Sequence, residues 1–197
     1  MLKYHRLKGA EARSFTQELA NLRLKVFWHF PYLYEGTLDY EVRYLETYFK
    51  AKNSFIFLVE DDGKIVGATT SIHAAEEEES FRKPFLDFGL NPEEVFYLGE
   101  SVLLDEYMGK GIGKKFFEER EAFARSLPFI KTLSFCAVQR PVDHPLLPVG
   151  YRPLDDFWKM MGFSKQPGLS TEYEWLDRNE TKPNKKSMQY WTKHIRS

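Results

Sequence analysis

The sequence predicts a mixed α/β fold: a central, mostly antiparallel sheet flanked by helices. Three observations carry this. Apolar residues recur at helical spacing near the N-terminus, at Phe15, Leu19, Leu22, Val26 and Phe30. Two β-rich runs, 55–60 and 64–72, flank Asp61-Asp62-Gly63, which reads as a hairpin and excludes an all-parallel sheet. An apolar run, 95–104, passes through Gly109-Lys110-Gly111-Ile112-Gly113 into a helical pattern over 112–126.

The elements follow in order. Residues 2–7 alternate weakly and read as a first strand. Residues 11–30 place their apolar positions four, three, four and four apart, one face of a helix that Pro31 stops. Gly36 opens a turn, and Thr37 or Asp39 caps a second helix in which Tyr40, Tyr44, Leu45 and Tyr48 recur. After the hairpin, 76–80 is a charge run and 81–91 a short loop or helix. The 95–104 strand, the glycine loop and the 112–126 helix lead to a β-rich run at 132–138. Residues 139–153 hold four of the ten prolines and read as a structured loop. A short helix, 154–161, ends at Gly162. Strands at 170–176 and 188–194 close the chain around a polar hairpin tip or mobile loop at 177–186.

One domain over 1–197 accommodates all of this. A composition 43% hydrophobic and 29% charged is that of a soluble globular protein. The 17 Phe, 11 Tyr and 4 Trp point to a bulky core or an aromatic-walled pocket. A net charge of -1 argues against a general nucleic-acid binder. No apolar stretch approaches the ~20 residues of a membrane span, and the N-terminus lacks an apolar signal core. The single Cys136 permits no intramolecular disulfide and fits a reducing compartment. A cytoplasmic protein without metal is expected. A homodimer is compatible with the sequence, but no segment requires one.

A strand that ends in a glycine loop and opens a helix is built to hold phosphates. Glycine allows positive φ and close approach, and the amides at the helix start form a cradle for anionic oxygens. Lys110, Lys114 and Lys115 add positive charge. Two common loops are excluded. A P-loop needs Gly-Lys followed by Ser or Thr, but Lys114 and Lys115 follow Gly113. The dinucleotide fingerprint needs a third glycine where Lys114 or Phe116 stands.

The stretch Met108-Gly109-Lys110-Gly111-Ile112-Gly113 resembles the pyrophosphate loop of the GNAT superfamily of N-acetyltransferases, often written R-G-x-G-I-G, at every position but Met108. The preceding Leu103-Leu104-Asp105-Glu106-Tyr107 is similar to the strand end that leads into that loop. Phe157-Trp158-Lys159-Met160-Met161-Gly162-Phe163 resembles a second motif of the family. Element order agrees from residue 2 to about 194.

The resemblance implies two parallel central strands, 95–104 and 132–138, that splay apart with acetyl-CoA in the gap. Backbone groups of Val102, Leu103 and Leu104 would pair with its pantetheine arm. The stretch Met108, Gly109, Lys110, Gly111, Ile112, Gly113 and Lys114 would bind its pyrophosphate. Trp158 stands where many members have a tyrosine that protonates the departing thiolate, a task an indole cannot perform. Tyr151 or solvent is then the candidate acid.

Acetyl transfer to an amine needs a base and an oriented thioester. Glu100 is the only charged residue in 95–104, and alternation places it on one face with Phe96, Leu98, Val102 and Leu104. The family often places a basic glutamate on this strand. Glu100 is thus either the base or a carboxylate paired with a polar neighbour. His144 reads as a base or a loop brace, and Cys136 as a group near the thioester or a small core residue. Tyr32, Tyr34 and Glu35, in the aromatic loop before Gly36, line an acceptor pocket or pin the loop to the core. Residues 76–79 read as a solvated turn or an attractor of a cationic amine.

The leading expectation is an enzyme moving acetyl from acetyl-CoA to a primary amine of a small molecule or peptide by direct attack. The alternatives are a non-catalytic acyl-CoA binding or sensing module, slightly favoured by Trp158, and an interaction protein without cofactor, which the intact glycines disfavour.

Overall fold

The computed structural model describes residues 1–196. Seven strands form one sheet: β1 (Lys3–Leu7), β2 (Ser54–Asp61), β3 (Lys64–His73), β4 (Val95–Leu103), β5 (Thr132–Val138), β6 (Ser164–Trp175) and β7 (Asn184–His194). Their order is β1-β2-β3-β4-β5-β7-β6. All neighbours are antiparallel except β4 and β5. The helices are α1 (Thr16–Phe27), α2 (Leu38–Lys50), α3 (Glu79–Phe88), α4 (Ile112–Arg125) and α5 (Asp155–Met160). Among the described residues, no helix is long and apolar enough to cross a membrane.

Each face of the sheet buries its own core. Leu19 of α1, Leu45 of α2 and Phe85 of α3 pack on one face against Ile56, Ile72, Val95 and Tyr97. Ile112, Phe116 and Phe117 of α4 pack on the other against Phe57, Phe96, Leu98 and Trp191. Strand alternation explains how neighbouring residues of β4 serve opposite cores.

Several boundaries differ from expectation. Residues Gly9–Phe15 form a 3-10 segment before α1, with Glu11 accepting the Lys8 N–H at 2.7 Å. The backbone leaves regular helix after Phe27, four residues ahead of Pro31 rather than at it. Thr37 is the cap of α2, its hydroxyl accepting the Tyr40 N–H. Strand β6 starts at Ser164 because an irregularity between Lys165 and Ser170 interrupts its ladder without ending it. Gln189 bridges the gap, its amide donating to the carbonyls of Gln166 and Leu169.

Strand β4 carries the irregularity that matters most. Thr70 faces Glu100, but Ser71 faces Leu98, so Gly99 is an extra residue, a β-bulge. A Cβ at Gly99 would collide with the Tyr48 hydroxyl. The bulge reverses the alternation expected from the sequence. Phe96 and Leu98 face α4, while Glu100 turns to the opposite face with Val102, against α1 and α2.

Candidate active site

The parallel pair opens at the centre of the molecule. Strands β4 and β5 are in register only from Val95–Thr132 to Tyr97–Ser134. Beyond that point β4 runs on to Leu103 and β5 to Val138 without pairing each other. Main-chain donors and acceptors along such an opening require partners from elsewhere.

The opening leads to the glycine loop. Gly109 and Gly111 have φ of 71° and 80°, and a Cβ at either would meet no atom within 4 Å. Gly111 is the cap residue of α4, and no side chain caps that helix. Its first amides therefore have no intrahelical acceptor, and no acidic residue occupies its first turn. The loop is anchored on one side by the Tyr107 hydroxyl, which donates to Asp61 at 2.9 Å. These features fit a diphosphate, which needs convergent N–H groups and open space.

Not every expected cofactor contact is free. Leu104 donates its N–H to Val66 and accepts from Tyr107, so both its main-chain groups are engaged within the protein. The Met108 N–H bonds to Asp105, and its side chain is exposed. Lys114 is exposed, 3.5 Å from Glu118, and Lys110 lies over the Tyr107 ring. Lys115 lies over Tyr4 and is paired with Glu119 at 3.3 Å.

On the helix-α1 face of the opening sits a buried charged cluster. Arg23 Nη1 lies 2.7 Å from Glu100 Oε1, and its Nε binds Glu41. Tyr44 donates to Glu100 at 3.3 Å and meets the Tyr48 hydroxyl at 3.0 Å. Burial works to lower the pKa of Arg23, but the carboxylates of Glu100 and Glu41 outweigh it and leave it well above its usual value. On the α4 side, Arg120 is fully buried and donates to the Glu100 carbonyl at 3.4 Å. Burial lowers its pKa to about 9, against the pull of Glu100, so it too stays charged at neutral pH.

The three residues expected in an acceptor pocket separate. The Tyr32 ring packs on Phe27 and Trp175, and its phenol is raised by burial first, then by Cys136 and Glu100. The Tyr34 phenol is raised by burial and by Glu41. Glu35 is exposed, held only through its N–H to the Leu176 carbonyl. Tyr151 stacks edge-on against Phe30 at 4.7 Å, and burial raises its pKa. His144 packs near Phe30 and accepts the Leu146 N–H. Cys136 meets the Tyr97 hydroxyl at 3.1 Å, and burial pushes its thiol up to about 12, so it is not an activated nucleophile. Trp158 packs between Phe135 and Trp191.

Three groups escaped the sequence reading. Arg23 lies four residues after Leu19 and three before Val26, a charge within an apolar stripe, and that was its signal. Glu41 lies three and seven residues before Tyr44 and Tyr48, on their helix face. Arg140 had no local signal. It donates to the carbonyls of Pro31 and Tyr32 and to Asp177, which also meets Lys186 at 3.4 Å. Asp177 and Lys186 are buried, so the 177–186 segment is fixed at both ends rather than loose.

Fold, opening and uncapped glycine loop together define an acyl-CoA transferase architecture. The chain belongs to the acetyltransferase (GNAT) family, whose model matches residues 23–149, and it is an acyltransferase of that family. Among solved structures, it is similar to Arabidopsis thaliana NAA60 in complex with acetyl-CoA (TM-score 0.64, 12% identity, 99% of each chain covered). It is also similar to the ribosomal-protein-alanine N-acetyltransferase of Brucella melitensis (TM-score 0.62, 12% identity, 99% of each chain). A third is PH1933 from Pyrococcus horikoshii OT3 (TM-score 0.62, 16% identity, 100% of each chain). Such identities establish a common fold. No curated protein matches the sequence.

Proposed function

We propose that the protein transfers an acetyl group from acetyl-CoA to a primary amine of a small molecule or peptide, by direct attack of the amine. The observation that carries this reading is the β4–β5 opening, which ends at an uncapped helix start behind two glycines of positive φ. Acetyl-CoA supplies an activated thioester carbonyl. The amides from Gly109 to Lys114 would hold its pyrophosphate. Val102 and Leu103 would offer main-chain groups to the pantetheine arm, a task for which Leu104 has no groups left.

Toward the acceptor, Tyr32 and Glu100 would line the amine site, with Tyr34 and Glu35 at its rim. Glu100, ion-paired with Arg23, would act as the base or as the group that orients the amine. The phenol of Tyr151, kept protonated by burial, would serve the departing thiolate in place of Trp158. Direct attack is favoured over an acetyl-enzyme because the Cys136 thiol is protonated.

The Trp158 substitution supports a second reading, an acyl-CoA binding module without catalysis. Release of free thiol from acetyl-CoA across a panel of amines separates the two. Amine-dependent release supports the transferase. Tight binding without release on any amine supports the module, and no binding overturns both.

A further inference from the structure

The 29–36 loop lies on the acceptor side of the opening, and its main chain is already bonded. The N–H groups of Leu33, Tyr34 and Glu35 donate in succession to the carbonyls of His29, Phe27 and Leu176. The carbonyls of Pro31, Tyr32 and Leu33 are taken as well. Arg140 donates to the first two. The Trp175 indole N–H also reaches Tyr32, at 3.0 Å, and the Arg178 N–H reaches Leu33 at 2.7 Å.

These bonds lace the loop to the chain that leaves β6. Tyr34 and Asp177 form an antiparallel bridge, flanked by the Glu35–Leu176 bond at 2.8 Å and the Leu33–Arg178 bond. The Asp177 carbonyl accepts the Glu180 N–H in turn. A peptide that binds as an added strand needs free main-chain donors and acceptors on its host. Here it would meet bonded groups, and each of its own amides buried without a partner would weaken binding.

Side chains are left to do the recognition, and they are aromatic. Tyr44 donates to Glu100 at 3.3 Å, and the Arg23 guanidinium lies 4.1 Å from the Tyr44 ring centre and 5.0 Å from that of Phe27. Phe27 and Tyr32 have ring centroids 4.6 Å apart, and Tyr32 and Trp175 6.1 Å. A row of rings thus runs from Glu100 to the laced loop. Phe27, Tyr32, Tyr44 and Trp175 are only partly buried, packed on the margin of the core. The buried cations beside them are each held by carboxylates: Arg23 by Glu41 and Glu100, Arg140 and Lys186 by Asp177.

We infer that the acceptor is a small amine with an aromatic or apolar body, held by ring faces, and not the amine of a peptide. This rests on the acetyltransferase reading and selects between the two acceptor classes that reading allows. Ring faces bury an apolar body and stack on an aromatic one without any main-chain partner. Glu100, at the inner end of the row, meets the amine end. A second charge or a peptide group on the acceptor would be desolvated without compensation.

The test measures wild-type kcat/KM for phenethylamine, hexylamine, cadaverine, a tetrapeptide with N-terminal phenylalanine and an Nα-acetylated lysine peptide. Acetyl-CoA affinity is measured alongside by calorimetry. Phenethylamine or hexylamine should exceed cadaverine and both peptides by about a hundredfold. Tyr32→Leu, which removes a ring and keeps an apolar side chain, should raise KM for phenethylamine about tenfold. Its acetyl-CoA affinity should be unchanged. Cadaverine or either peptide within tenfold of the better small amine would overturn this assignment alone, as would an unchanged KM in folded Tyr32→Leu. A wild type that binds acetyl-CoA and acetylates none of the five would overturn the transferase reading and the assignment with it.

Discussion

Arg23 Nη1 and Glu100 Oε1 lie 2.7 Å apart, each side chain only 7% exposed, and join α1 to the strand that borders the opening. Arg23 also binds Glu41 on α2, so one guanidinium holds two buried carboxylates. Replacing Arg23 by Met leaves both carboxylates unpaired. The expected loss of stability is about 3–5 kcal/mol, the range for breaking a buried pair. Glu100→Gln should cost less, because Arg23 keeps Glu41. Urea unfolding of the two variants checks the order.

Gly99 is the residue that lets β4 bulge beneath Tyr48. A methyl group there would collide with the Tyr48 hydroxyl. Gly99→Ala should destabilise the protein by about 1–3 kcal/mol, as overpacking does. It should also impair catalysis, since Glu100 follows directly. Thermal unfolding and kcat/KM measured together check this.

Arg140 ties the 29–36 loop to the 177–186 segment through Pro31, Tyr32 and Asp177. In Arg140→Ala, Asp177 retains only Lys186, at 3.4 Å. We expect a stability loss on the order of 3 kcal/mol and a raised KM for the amine, since the Tyr32 carbonyl keeps only the Trp175 indole N–H at 3.0 Å. Affinity for acetyl-CoA should be unchanged, because the glycine loop makes no contact with Arg140. Calorimetry and steady-state kinetics separate the two effects.

Glu77 makes a pH-dependent contribution to stability. Its pKa rises on folding from 4.5 to about 7, chiefly through burial. The folded state thus holds the proton more tightly than the unfolded state. Stability from this group is full below the unfolded pKa and is lost as pH rises through about 7. Glu77→Gln removes the effect. Its Tm relative to wild type should therefore increase between acidic and mildly alkaline buffer, as calorimetric scans at the two pH values would show.

Much of the fold was legible because local periods and turn residues agree with the final topology. The Asp61-Asp62-Gly63 turn marks the β2–β3 hairpin, and the glycine loop marks the start of α4. The face of Glu100 was not legible, since alternation holds only in an unbroken strand. The glycine at 99 was the available sign of a bulge. The partners of Arg140 lie far away in sequence, at 31, 32 and 177, and no local pattern announces them. That Glu76 accepts the Lys52 and Asn53 N–H groups was hidden within a run of four glutamates at 76–79, whose shared chemistry says nothing about which one the chain engages.

On the proposed function, the β4–β5 opening and the glycine loop bind acetyl-CoA. Calorimetric titration of acetyl-CoA into wild type and Gly111→Glu tests it most directly. Gly111 has a φ of 80° beside open space, so glutamate there puts both strain and negative charge where the pyrophosphate would lie. Saturable binding to wild type, one molecule per chain, and none to a variant that remains folded is the expected result. Equal binding by the two proteins, or no binding by folded wild type, would contradict it.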